Sequence, residues 1–169
     1  IVDLTEQTSL IALQGPRARH ILEIVINNSI GHLKTFHVDD FVWDSVPITI
    51  SRTGYTGEDG FEILVDANQA VKLWDVIMKS NERDGLLPAG LGARNTLRLE
   101  ACLLLYGNDM DESVTPLETT IDWTVKFDKG NFIGREALLR QRERGIARRL
   151  VGFEMIDRGI PRQDYPVFL

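Results

Sequence analysis

Residues 51–65, SRTGYTGEDGFEILV, place a glycine-punctuated loop directly before an alternating strand, and the rest of the chain is read outward from that pairing. Gly54, Gly57 and Gly60 recur every third residue. Glycine reaches positive φ and lets another group approach the backbone without a Cβ clash, so a bend of this kind beside polar side chains suggests a ligand loop. Tyr55 offers a flat face and a hydroxyl, and Glu58, Asp59 and Glu62 add three acceptors. These carboxylates would repel an anion and suit the donor-rich edge of a heterocycle or a cation. The glycines also lack the Walker A lysine and the GxGxxG spacing, which disfavours phosphate binding of those kinds. Alternation in FEILV sets Phe61, Ile63 and Val65 on one face, with Glu62 and Leu64 on the other.

Upstream, SLIALQG (Ser9 to Gly15) reads as a buried strand closed by a turn, with Pro16 at the first position of a helix through about Val25. Lys34 to Trp43 and Val46 to Arg52 read as two strands joined by a turn at Asp44 and Ser45. Downstream, Asp66 caps a helix from Ala67, Gln69 completes a capping-box pattern, and Val71, Leu73, Trp74, Ile77 and Met78 form its apolar stripe. A second helix follows Pro88 and Gly90 and carries Arg94 and Arg98 at i, i+4 spacing, until LYGNDMDE breaks it. Trp123 to Phe127 reads as a strand, NFIGREALLRQRERG as a turn into a helix ended by Gly145, and RRLVGFEM as the start of another strand. Strands mixed with helices around an early hairpin predict an α+β fold.

A chain of 169 residues with 43% hydrophobic and 26% charged residues has the makings of a globular core. The net charge of −6 and pI near 5.1 argue against nucleic acid as a main partner. The arginines between Arg135 and Arg149 read as a solvated helical face rather than a site for an acidic partner. Cys102 has no cysteine to pair with and lies in an apolar stretch, where a buried thiol in a reducing compartment is expected. No apolar run reaches the roughly 18 residues of a membrane span, and no charged-then-apolar leader opens the chain. The start at Ile1 and the stop inside the strand-like YPVFL suggest that both ends are cut from a longer protein.

Glu62 and Arg94 are separated by a strand, a capped helix and a turn, which allows both to return to one end of the sheet. Together they match the mixed donor and acceptor edge of a pterin or purine; alternatively they form a structural ion pair, which spacing alone favours. Tyr55 is either a stacking aromatic or a turn-packing tyrosine. Asn108, Asp109, Asp111 and Glu112 lack EF-hand spacing, so a turn with caps is preferred to a metal site. His20, His32 and His37 are scattered, and no nucleophilic triad or Cys/His set is evident.

The glycine run, PAGLGARNTLRLEACLLLYGNDMDE (Pro88 to Glu112), TPLE and DKGNFIGREAL together closely resemble the aminomethyltransferase of the glycine cleavage system, the T-protein family. The resemblance implies transfer of a one-carbon unit from the aminomethyl-lipoyl H-protein to tetrahydrofolate, with release of ammonia. It implies an α+β folate-binding region over 1–145, its N-terminal part missing, and the first strands of a C-terminal β-barrel over 146–169. By motif position Glu62 and Arg94 match the family's pterin-binding acid and arginine, Tyr55 an aromatic at the folate pocket, and Phe36 an aromatic packing by the pterin. That reverses the preference for a structural ion pair. Asn95 stands where Asp is common, and Cys102 where Gly is usual. The family's catalytic aspartate belongs to a segment upstream of Ile1, so no catalytic residue and no turnover are expected of this piece alone, and no metal is called for. The resemblance implies a cytoplasmic protein, or a mitochondrial one in a eukaryote, without nucleic acid or membrane partners. Rival readings within the superfamily are the C-terminal region of a sarcosine or dimethylglycine dehydrogenase, a sulfoniopropionate demethylase, a non-catalytic folate-binding module, and an iron-sulfur cluster maintenance factor. The last carries a cysteine in KGCYIGQE, where this chain has Asn131.

Overall fold

In a computed structural model, the structure describes residues 1–80, 85–160 and 165–168. The chain divides into two compact units, Ile1–Leu103 and Leu104–Leu169.

The first unit is built on four antiparallel strands, β1 (Thr8–Gln14), β2 (Val38–Trp43), β3 (Val46–Ser51) and β4 (Gly60–Asp66), in the order β1-β4-β3-β2. Period-2 alternation explains the sheet's two faces. Ile11 pairs with Ile63, Leu13 with Phe61, and Ile50 with Ile63, so these apolar residues fall on one face, while Leu10 and Leu64 pair on the other. The helices α1 (Ala18–Ile26) and α2 (Ala70–Ser80) bring Leu22, Ile26, Leu73 and Ile77 against that face, and Phe61, Ile63, Ile50, Leu22 and Leu73 are wholly buried. Helix α1 starts two residues after Pro16, because Gly15 at φ 115 turns the chain and its carbonyl accepts from the Ala18 N–H. Asp66 caps as expected, accepting from the Asn68 N–H, and one 3-10 turn (Ala67–Gln69) precedes α2. Asp44 and Ser45 both take positive φ, forming the tight β2–β3 turn.

Helix α3 (Leu91–Glu100) ends in a Schellman motif, with Cys102 N–H on Leu99 O and Leu103 N–H on Arg98 O. Cys102 occupies the left-handed position at φ 57 and is exposed, which corrects the expectation of a buried thiol. A residue just past a helix end, where the chain reverses, projects away from the helix's packed face.

In the second unit, helix α4 (Arg135–Arg144) buries none of its residues and ends at Gly145. In place of the strand expected at Trp123 to Phe127 stand two 3-10 turns, Asp122–Thr124 and Phe127–Lys129, with Val125 and Lys126 between them. The cause is local. Asp122 accepts from the Trp123 N–H and Thr124 donates to the Ile121 carbonyl, so side chains take backbone groups that a ladder would need. RRLVGFEM forms no strand either, and the described residues beyond Gly145 contain none of the strands expected of a barrel. A strand needs a partner to take its N–H and C=O groups, and for this segment the backbone-to-backbone link among the described residues is the bond from the Leu150 N–H to the Glu118 carbonyl. Part of the expected 146–169 region, residues 161–164 and 169, lies outside the described residues. Among the described residues, no helix is long and apolar enough to cross a membrane.

Candidate functional site

The glycine loop spans the gap between the end of β3 at Ser51 and the start of β4 at Gly60. Its base is closed by Arg52, which grips Asp59 with two parallel hydrogen bonds of 2.9 and 2.8 Å and donates a third, of 2.9 Å, to the Leu33 carbonyl. Donation from Arg52 holds the Asp59 carboxyl below the usual carboxylate range. The Asp59 carbonyl accepts from the Gly15 N–H, which ties the loop to the end of β1. Of the three acidic residues read as acceptors, Asp59 is therefore structural and Glu58 is exposed; Glu62 alone lines the neighbouring cavity.

The loop is shaped by its neighbours as much as by its own flexibility. Gly57 has φ 79, and a Cβ there would stand 2.7 Å from the Ala101 Cβ, so the C-terminal end of α3 rests on the loop's tip. Gly54 and Gly60 lack positive φ, yet a Cβ on either would collide with the carboxamide of Gln14.

A cavity of about 280 Å³ opens beside β1 and is lined by Tyr55, Glu62 and Arg94 together with apolar side chains such as Trp74, Met78 and Leu97. Tyr55 and Arg94 meet directly, the guanidinium carbon lying 4.4 Å from the ring centroid. Glu62 is half-buried and accepts from the Thr53 hydroxyl. Among the described residues Glu62 and Arg94 form no ion pair with each other. They are brought to one cavity by separate partners, which removes the structural ion pair as an explanation of their placement. The site thus offers a carboxylate acceptor, a guanidinium donor and an aromatic face within a largely apolar pocket, a combination suited to a planar heterocycle with both donors and acceptors on its edge.

Phe36 is not brought to this cavity. It sits on a turn at φ 64, its N–H bonded to the Arg52 carbonyl, and is 85% exposed. Arg98, one turn after Arg94, is 3% exposed and serves α3 itself, donating to the Asn95 side chain at 2.9 Å and the Leu103 carbonyl at 3.3 Å. In the second unit, the acidic run after Tyr106 caps turns, Asp109 accepting from the Leu105 N–H and Asp111 from the Ser113 N–H.

Gln14, Thr53 and the Arg52–Asp59 clasp went unread in the sequence. The signal for Gln14 was faint: it is a polar residue ending an apolar strand, and it faces Gly60 only once the β1–β4 register is known.

Residues 1–129 match the family described as the GCVT N-terminal domain. The chain belongs to that family. Among curated relatives it is 51% identical over 168 residues to an aminomethyltransferase of Thermoanaerobacter pseudethanolicus, covering 99% of this chain and 46% of the relative. It is 46% identical over 170 residues to one from Shouchella clausii, again covering 99% and 46%. The glycine cleavage system aminomethyltransferase T from Bartonella henselae superposes with a TM-score of 0.68 at 35% identity, over 82% of this chain and 37% of that one. The chain spans under half the length of these relatives.

Proposed function

We propose that this chain is the folate-binding part of a glycine cleavage aminomethyltransferase, and that the cavity beside β1 receives the pterin ring of tetrahydrofolate. The observation that carries the reading is the convergence of Glu62 and the Tyr55–Arg94 stack on one cavity, in a chain whose relatives are aminomethyltransferases. The residues fit the ligand's chemistry. Glu62 accepts from the ring N–H and amino groups, Arg94 donates to ring acceptors, and Tyr55 backs the guanidinium so that it stays oriented. When bound, tetrahydrofolate supplies the nitrogen that takes the one-carbon unit from the aminomethyl-lipoyl arm of the H-protein, while ammonia leaves. The contribution of this part of the protein is position: a fixed pterin holds that nitrogen where the incoming carbon arrives, and such orientation lowers a barrier by several kcal/mol, on the order of the effective-molarity gains seen in intramolecular reactions. The apolar lining, including Trp74 and Met78, limits water around the ring. The partner proposed is the lipoylated H-protein, and with bacterial relatives the compartment proposed is the cytoplasm.

Calorimetric titration with tetrahydrofolate tests the assignment. Glu62→Ala and Arg94→Ala are each expected to weaken binding by about 1 to 3 kcal/mol, the range for losing a charged hydrogen-bond partner. Unchanged affinity in both variants would sink it.

A further inference from the structure

Gln14 ends β1 opposite Gly60, and its carboxamide is committed to the glycine loop. The Nε2 group donates to the Thr53 carbonyl at 3.2 Å and to the Phe61 carbonyl at 3.3 Å, while Oε1 accepts from the Thr56 hydroxyl at 3.1 Å. Thr53 precedes the loop's first glycine, Thr56 lies within it and Phe61 follows its last, so one amide ties entry, middle and exit. Gly54 and Gly60 need no left-handed backbone; they are glycine where a Cβ would occupy the amide's place. The same loop carries both recognition features. Thr53, held through its carbonyl, donates its hydroxyl to Oε2 of Glu62, which leaves Oε1 available as an acceptor. Tyr55, between Gly54 and Thr56, meets Arg94.

We infer that Gln14 is the positioning residue of the cavity: its carboxamide sets the glycine loop so that the Glu62 carboxylate and the Tyr55–Arg94 stack face one planar ligand in register. The role in ligand binding rests on the reading proposed above, whereas the hold on the loop does not. Replacing the amide by a group of equal length without its hydrogen bonds leaves the strand filled and releases the loop.

The test uses the full 169-residue chain labelled with 3-fluorotyrosine, whose three tyrosines, Tyr55, Tyr106 and Tyr165, give three fluorine resonances assignable by Tyr→Phe substitution. In Gln14→Met, without ligand, the Tyr55 resonance is expected to shift or broaden while the other two stay. Tetrahydrofolate binding is expected to weaken about tenfold, as for loss of one well-made hydrogen-bonding group. A second pair guards against simple misfolding. Gly60→Ala alone should move the Tyr55 resonance, and in a Gln14→Ala background it should add nothing, because the space is then empty. An unmoved Tyr55 resonance in Gln14→Met, or equal effects of Gly60→Ala in both backgrounds, overturns the inference. A moved resonance with no tetrahydrofolate binding by the unsubstituted chain leaves Gln14's hold on the loop standing and overturns the folate reading instead.

Discussion

Cys102 holds a left-handed backbone at φ 57 with a side chain that disfavours it. A Cβ in that region crowds the following carbonyl, a cost of roughly 1–2 kcal/mol that glycine avoids and partly returns through its greater freedom when unfolded. Cys102→Gly is therefore expected to stabilise the first unit by about 1 kcal/mol, read as a higher midpoint in urea. A lower midpoint would show that the thiol's local contacts outweigh the strain. The resemblance had singled out this position as one where glycine is usual, and the Schellman geometry supplies the physical reason. Asn27, at φ 50 past the end of α1, shows the milder solution, since asparagine tolerates the left-handed region better than most side chains.

Among elements, the turn at Pro116–Glu118 depends most on one ionised group. Glu118 is buried, accepts from the Thr115 N–H at 2.8 Å and pairs with Arg148 at 2.7 Å. Donation from the Thr115 backbone, then from Arg148, holds its carboxyl at about 2 against an ordinary 4.5. A depressed pKa means that the folded state favours the carboxylate. Its stabilising effect is complete above the ordinary value and is lost as pH falls from 4.5 toward 2. The protection factor of the Leu150 amide, whose N–H bonds to the Glu118 carbonyl, is expected to fall over that acid range once the intrinsic exchange rate at each pH is divided out; in Glu118→Gln the protection should be low already at neutral pH and flat through it. An acid response unchanged by the substitution would refute the assignment. Element by element, legibility followed locality. The strands and helices of the first unit carry their own period, as with Phe61, Ile63 and Val65 against Glu62, and their interiors could be read directly, although β2 starts at Val38 rather than Lys34 and α3 stops at Glu100, short of the LYGNDMDE break. RRLVGFEM has the composition of a strand, but pairing is a property of two segments and one segment does not reveal it. The candidate site divides the same way: Tyr55, Glu62 and Arg94 lie in the quoted motifs and line one cavity, whereas Gln14 meets the loop only through cross-strand register and Phe36, outside those motifs, stands exposed on a separate turn.

Across the whole molecule, the buried apolar cluster lies entirely in the first unit, running from Leu13 to Ile77. In the second unit Leu117 is the one buried apolar residue among those described, and polar contacts such as Arg148 to Glu118 and Thr115 to Gln141 supply much of the rest. Stability follows buried apolar area, so the two units are expected to lose structure separately. Residue-resolved hydrogen exchange in rising denaturant should show amides beyond Leu104 opening first and those of β4 and β3 last, and one coincident transition would refute this. The same asymmetry has a meaning in time. A ribosome delivers every buried member of the apolar cluster before residue 78 is added, and α2 is complete by Ser80, so the sheet and its first two helices can close while the second unit is still being translated.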